Sequence, residues 1–483
     1  IMSNSLKKLL TEFKYLEQNS TNIKKGSIFL AYPGESSDGR SYIDEAIKKG
    51  AGAIIYDPFG FEWNTRWNLP NLPVKKLKNN ISNIASQFYN HPSKKINLIG
   101  VTGTNGKTSS VYWITQCLKH LDRRATMIST IGYGFIEKLE PTTNTTPDAL
   151  KIQSILNDFD MNKVQDTCIE VSSHGIEQGR VAGVDFDVRL FTNLSRDHLD
   201  YHGSIKNYTK IKKMFLLDAT KGNLVINIDD PLGEKIFQES KLDASQKISF
   251  GIDNTCSLQA INLVTEDKKT KFDLLYKGKN TKVLVSVVGR YNIYNILGVI
   301  GVLISLGHQI ESINPILKCL NQVPGRAEVL KTGINKCPKI IIDYAHTPDA
   351  FKNILGSLKS SKYKNLNIVF GCGGDRDKGK RKEIAAIVNQ YADFVIVTSD
   401  NPRNEDPKKI IDDICQDLSI SNMVIEDREL AIKEILKKSD SDDLILIAGK
   451  GHETYQEIKG VRKDFSDKLL AKKYATKFFG SEN

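Results

Sequence analysis

Residues 100–110 read Gly-Val-Thr-Gly-Thr-Asn-Gly-Lys-Thr-Ser-Ser and follow an apolar stretch, 96–99. Gly103 and Gly106 let backbone N–H groups face a triphosphate. Lys107 has the reach for its outer phosphates, and Thr108 offers a hydroxyl to Mg2+. The spacing predicts a helix over 108–120 with its positive dipole end toward the anion. The loop departs from G-x-x-x-x-G-K-[ST], since Gly100 lies six positions before Gly106. A tight turn would explain the glycines but would leave Lys107 and Thr108 without a task.

Other residues could join this chemistry. Glu170 ends an apolar run and opens Glu-Val-Ser-Ser-His. A carboxylate at a strand end beside a phosphate loop suits Mg2+, directly or through water, although a solvated strand-end acid is the plainer alternative. Arg180 has a fork for a carboxylate or phosphate, or is a surface arginine. Residues 197–203 hold two histidines and two aspartates in seven positions. No cysteine or third histidine completes a zinc set, so His198 reads as a contact of Mg2+ or its water shell, or as a structural loop histidine. Further polar clusters occur at 343–349, 371–381, 398–403 and 448–453. The glycine run 371–374, followed by dense charge, suits either an anion at a helix start or a turn with a solvated face.

These clusters need a scaffold. Short apolar runs at 28–31, 53–56, 166–171, 188–192, 224–227, 339–343, 367–370, 394–398 and 444–448 read as strands, with helices at 43–49 and 84–89. Strand and helix alternate, which implies mostly parallel sheets covered by helices, with ligand sites at strand ends. A more β-like insertion, 247–288, interrupts the rhythm. Pro92-Ser93 and the Val-Pro-Gly-Arg stretch at 323–326 mark boundaries, giving three domains: 1–92, 93–325 and 326–483.

Composition narrows the class. The net charge of +11 comes from lysines spread along the chain, such as Lys48, Lys49, Lys437 and Lys438, with no RNA-binding aromatic signature. The expectation is attraction of small anionic substrates, with no nucleic-acid partner. Seven dispersed cysteines without a C-x-x-C pair suit reduced thiols and a cytoplasmic setting. No apolar run is long enough for a membrane span, and residues 1–10 have no apolar core like that of a signal peptide.

Eight motifs together resemble the Mur ligase family over nearly the whole chain: Gly-Thr-Asn-Gly-Lys-Thr (103–108), Asn-Thr-Thr-Pro-Asp (144–148), Glu-Val-Ser-Ser-His-Gly (170–175), Asp-His-Leu-Asp-Tyr-His-Gly (197–203), Pro-Gly-Arg (324–326), Asp-Tyr-Ala-His-Thr-Pro-Asp (343–349), Asp-Asn-Pro-Arg (400–403) and Gly-Lys-Gly-His-Glu (449–453). The resemblance implies an α/β, three-domain architecture: a UDP-sugar-binding N-terminal domain, a central parallel-sheet domain with the phosphate loop, and a C-terminal Rossmann-like domain for the amino acid. It implies a monomeric, cytoplasmic ligase of peptidoglycan synthesis using ATP and Mg2+. The Asp-Asn-Pro-Arg motif points to meso-2,6-diaminopimelate as the amino acid, joined through an acyl phosphate to the D-Glu γ-carboxyl of UDP-N-acetylmuramoyl-L-Ala-D-Glu.

The family's site residues carry over by motif. ATP is assigned to Gly103, Thr104, Asn105, Gly106, Lys107, Thr108, Ser109, Asn292, Asn295, Arg326, Asp343 and His346. Mg2+ is assigned to Thr108, Glu170, His198 and a carbamylated lysine, Lys212, which has Lys210 and Lys213 as neighbours in register. Lys107, Lys212, Glu170 and His198 form the implied catalytic set. The UDP-sugar dipeptide is assigned to Ser20, Glu35, Ser36, Ser37, Asn144, Thr145, Thr146, Ser172, Gln178 and Arg180. One departure stands out: the family usually has Ser-Arg where this chain has Ser20-Thr21. Diaminopimelate is assigned to Arg376, Asp400, Asn401, Pro402, Arg403, Gly449 and Glu453, with Arg403 facing the carboxylate that lysine lacks. The rival readings are another Mur ligase, a folylpolyglutamate synthetase, or a nucleotide-gated binding protein without ligase activity.

Overall fold

A computed structural model describes residues 4–34, 37–195, 197, 199–218, 222–266, 269–359 and 361–480, with the backbone alone at 199 and 200. The chain forms two compact units. One holds the segment up to Thr102 and Asp122–Arg189; the other holds Gly103–Leu121 and everything from Leu190.

The first unit contains a four-stranded parallel sheet, in the order Tyr15–Glu17, Ser27–Ala31, Ala51–Tyr56, Asn71–Pro73. Ser27–Ala31 is apolar beyond its first residue because both faces of the sheet are covered. Ile28 and Leu30 pack with Leu6, Leu10, Leu77 and Ile81; Phe29 and Ala31 pack with Ile43, Ile54 and Tyr56. The helix expected at 84–89 begins at Leu77 and runs to Phe88. Leu77, Ile81, Ile84 and Ala85 form its buried stripe, while three asparagines and a serine, weak helix formers, mask its first turns in the sequence. In the same unit, Asp166–Glu170 pairs in parallel with Asn97–Thr102 on one side and Ala125–Ser129 on the other.

In the second unit, Asn223–Asn227, Lys247–Gly251 and Leu258–Glu266 pair in parallel. The antiparallel strands Lys269–Tyr276 and Lys279–Val285 follow. The β-like insertion is thus part continuation of the parallel sheet and part meander. The helix Arg290–Ser305 is buried almost all round, with Gly301 set against Val225.

The C-terminal portion of this unit holds a six-stranded sheet in the order Glu328–Val329, Lys339–Asp343, Leu444–Ala448, Leu366–Phe370, Phe394–Val397, Asn422–Val424. All its pairs are parallel except the first. Helices Pro348–Leu358, Gly379–Tyr391 and Pro407–Cys415 cover one face; Arg428–Lys438 and Asp467–Phe479 cover the other. Loops leaving the C-terminal ends of parallel strands therefore gather along one edge, where the polar clusters at 343, 371, 398 and 449 lie. Among the described residues, no helix is long and apolar enough to cross a membrane.

Candidate active site

The phosphate loop is fixed by the segment after strand Val188–Phe191. Thr104 N donates to Asn193 O at 2.8 Å and Asn105 N to Asn193 Oδ1 at 3.0 Å. Thr192 Oγ1 donates to Asn105 O at 2.7 Å. Two glycines are dictated by contact. Gly103 has φ +149° and a Cβ there would strike Thr192 Oγ1; Gly106 has φ +82° and a Cβ would strike Asn295 Oδ1. Asn295 is thus brought against the loop, and its Nδ2 donates to Asn292 Oδ1 at 3.4 Å. The helix starts at Lys107, with Thr108 and Ser109 buried in its first turn.

Two ammonium groups meet on this loop. Lys107 Nζ donates to Thr104 O at 2.7 Å and Gly103 O at 3.1 Å, and Lys212 Nζ donates to Gly103 O at 2.8 Å. Of the three candidate lysines, Lys212 is the buried one. Lys210 is exposed, and Lys213 pairs with Glu239 at 2.5 Å. Lys212 Nζ lies over the Tyr208 ring, and Tyr208 Oη is 3.0 Å from Thr104 Oγ1.

Residues from the third segment also reach the loop. Arg326 Nη2 donates to Thr108 Oγ1 at 2.9 Å, and its guanidinium covers the Tyr344 ring. Asn105 Nδ2 donates to Asp349 Oδ2 at 2.6 Å. Asp343 ties the segment's entry to its first strand, accepting from Ala327 N at 2.6 Å and Ala345 N at 2.7 Å. Burial raises its carboxyl pKa against these N–H groups and Arg326. His346 lies 4.0 Å from Asp197. His198 falls outside the described residues.

A second cluster belongs to the first unit. Glu170 is buried, and its Oε2 accepts from Thr130 N at 3.1 Å and Thr130 Oγ1 at 3.0 Å. Thr130 Oγ1 also lies 3.1 Å from the Thr145 hydroxyl. Thr146 Oγ1 donates to Glu170 O at 2.7 Å and lies 3.0 Å from Ser172 Oγ, and Ser172 caps helix Ser173–Glu177. Arg180 reaches Gln178 Oε1 through Nε at 2.9 Å and Thr146 O through Nη1 at 2.5 Å. Thr145, Thr146, Glu170, Ser172, Gln178 and Arg180 thus share one network, while Asn144 sits at its edge, bonded to Thr142. Ser20 is buried elsewhere in the unit and donates to Glu45 at 3.2 Å. Ser37 is exposed; Glu35 and Ser36 fall outside the described residues.

The third cluster brings the 400–403 and 449–453 motifs together. Asn401 Nδ2 donates to Glu453 Oε2 at 3.0 Å. Lys450, fully buried, donates to both Asn401 Oδ1 and Glu453 Oε2 at 2.9 Å. Burial raises the Glu453 carboxyl pKa, with Lys450 opposing. Asp400 sits against Gly449, whose φ is +117°. Arg403 has φ +50° and donates to Gly374 O at 2.9 Å. Pro402 O presses on Gly374, where a Cβ would collide with it. The glycine run therefore allows close passage of the 398–402 backbone, and the next helix starts only at Gly379. Arg376 is exposed at the rim. Thr130, Asn193 and Lys450 escaped the sequence reading, although Lys450 lay inside a motif. A threonine or asparagine in a loop carries no signal of its own.

Comparison with known proteins gives consistent matches. A family model described as the Mur ligase middle domain matches residues 101–303, the Mur ligase glutamate ligase domain matches 325–451, and the Mur ligase family catalytic domain matches 12–89. The UDP-N-acetylmuramoyl-L-alanyl-D-glutamate–2,6-diaminopimelate ligase of Janthinobacterium sp. (strain Marseille) is 38% identical over 94% of this chain and 92% of its own. The enzyme of the same name from Fusobacterium nucleatum is 39% identical over 97% and 95%. A solved structure of a ligase with that name is 30% identical, with TM-score 0.67, covering 96% of this chain and 95% of its own. The MurF ligase from Thermotoga maritima in complex with ADP shares the fold, with TM-score 0.70 at 20% identity over 99% and 100%.

Proposed function

The chain belongs to the Mur ligase family, and from that premise we infer that it ligates meso-2,6-diaminopimelate to UDP-N-acetylmuramoyl-L-alanyl-D-glutamate in peptidoglycan synthesis, at the expense of ATP. The observation that carries the choice of amino acid is the joined cluster of Asp400, Asn401, Arg403, Gly449 and Glu453. An ammonium suits the two carboxylates, and a distal carboxylate suits the Arg403 fork. L-Lysine would offer Arg403 only a like charge.

The chemistry follows from the poor electrophilicity of a carboxylate. The D-Glu γ-carboxylate attacks the γ-phosphorus of ATP, releasing ADP. The amine of diaminopimelate then adds to the acyl-phosphate carbonyl, and the tetrahedral intermediate expels phosphate as the amide forms. Lys107 and the loop N–H groups hold the phosphates, with Asn292, Asn295, Arg326, Asp343 and His346 completing the nucleotide set. Mg2+ would neutralise charge on the transferring group. Thr108 would offer a hydroxyl oxygen and Glu170 a carboxylate oxygen, each a donor of the kind this hard cation takes, and a carbamate on Lys212 would replace an ammonium with two more. Thr145, Thr146, Ser172, Gln178 and Arg180, with Ser20, are assigned to the UDP-sugar dipeptide. The segments 1–92, 93–325 and 326–483 are read as its domain, the nucleotide domain and the amino-acid domain. One chain carries every residue named, so we assign the reaction to a monomer, and to the cytoplasm where ATP is made.

The test is an amino-acid panel with ATP and the UDP-sugar dipeptide, scored by product mass and phosphate release. The expected product carries one diaminopimelate residue, with release dependent on all three substrates. Equal use of L-lysine would refute the assignment.

A further inference from the structure

Arg428 and Asp467 form an ion pair with both side chains 0% exposed. Arg428 Nε and Nη2 donate to the two carboxylate oxygens at 2.8 Å each. The rest of the fork turns elsewhere: Nη2 also donates to Ala448 O at 2.9 Å, and Nη1 to Ser399 O at 3.3 Å. Those carbonyls immediately precede Gly449 and Asp400, the starts of the two turns that form the amino-acid cluster. The strands feeding those turns, Leu444–Ala448 and Phe394–Val397, are not neighbours, because Leu366–Phe370 lies between them. Each is registered on that middle strand, but among the described residues no ladder bond joins the two directly. A planar guanidinium with five donors spans the gap.

The pair is a poor device for stability alone. Arg428 opens helix Arg428–Lys438, where a cation meets the positive end of the dipole. Replacing a buried ion pair by apolar groups of similar volume is often neutral or favourable. Buried beside Asp467, with Asp400 and Glu453 also near, the Arg428 guanidinium is held in its charged form.

We propose that Arg428, oriented by Asp467, is a positioning residue for the amino-acid substrate, fixing the spacing of the Asp400–Arg403 and Gly449–Glu453 turns without touching the substrate. This rests on the reading of those turns as the diaminopimelate pocket.

The experiment compares steady-state kinetics and Tm of the full chain with Arg428→Lys, with Arg428→Met combined with Asp467→Leu, and with Arg403→Ala. The apolar pair leaves Ala448 O and Ser399 O without their donors, so Tm should fall modestly while the chain stays folded and keeps the KM for ATP; the KM for meso-diaminopimelate should rise by ~10- to 100-fold, the scale of an ångström-level misplacement. Arg428→Lys keeps the charge but loses the fork and should fall between. A folded apolar pair with the parent KM for diaminopimelate overturns the proposal. If that pair does not fold, Arg428→Lys decides: an unchanged KM for diaminopimelate overturns it. Arg403→Ala separates the two readings. A raised KM there without one in the Arg428 variants sinks only the positioning role; no change there sinks the pocket and the proposal together.

Discussion

Two buried or half-buried ammonium groups, Lys107 and Lys212, donate to one carbonyl, Gly103 O, and their surroundings give them different tasks. Lys107 opens the helix after the loop and also reaches Thr104 O, within range of the phosphates the loop would cradle. Lys107→Ala should lower kcat by ~100-fold or more, as loss of a charge stabiliser in phosphoryl transfer does, with the circular dichroism spectrum unchanged. Turnover near the parent rate would remove the loop from the mechanism. Lys212 comes from a helix remote in sequence and stacks over Tyr208. If it works as a carbamate, Lys212→Ala should be nearly inactive and partly restored by formate or acetate, while Lys213→Ala should act like the parent, since its exposed pair with Glu239 contributes little. Rescue of a Lys213 variant in place of Lys212 would shift the assignment. Local geometry was legible where one short segment held the whole constellation, as in the turn and helix start at 103–108. It was hidden at Lys450, Arg428 and Asp467: a lone charge reads as a solvated surface group, and only contacts across tens of residues show that it is buried.

At the scale of elements, the two clusters of the second unit rely on close backbone passage at named glycines. Gly106 admits the Asn295 side chain at a left-handed turn, and Gly374 admits Pro402 O at the end of a different strand. An added methyl should therefore act locally and in opposite senses. Gly106→Ala should raise the KM for ATP with little effect on that for diaminopimelate, and Gly374→Ala should do the reverse. In each case the clash and strain, of order 1–3 kcal/mol, correspond to roughly 5- to 150-fold. Equal changes in both constants for either variant would show that the turns are not independent. The strands Lys339–Asp343 and Leu444–Ala448 stand where the sequence puts them, because a strand buried on both faces is an uninterrupted apolar run bounded by polar turns. Asn422–Val424, exposed at the sheet edge, has no such run and gave no signal. The glycine run 371–374 was open to an anion site or a turn. The carbonyls that crowd it come from 398–402, a partner no local pattern discloses.

At the scale of the molecule, the charge of +11 is a field rather than a site. The inferred substrates respond to it unequally. ATP and the UDP-sugar dipeptide are polyanions, whereas meso-diaminopimelate carries two ammonium and two carboxylate groups and is neutral overall near pH 7. A positive field raises the local concentration of polyanions and leaves a zwitterion nearly unaffected. Raising salt from about 0.1 to about 1 M shortens the screening length from about 10 to about 3 Å, which removes the long-range field. Buried pairs such as Arg428–Asp467 are screened far less. The KM values for ATP and the UDP-sugar dipeptide should therefore climb together over this range, while the KM for diaminopimelate and the Tm stay nearly level. A diaminopimelate KM climbing in step with that of ATP would mean that its pocket is held by exposed, screenable charges, contrary to the pocket proposed at the largely buried Lys450, Asn401 and Glu453 network.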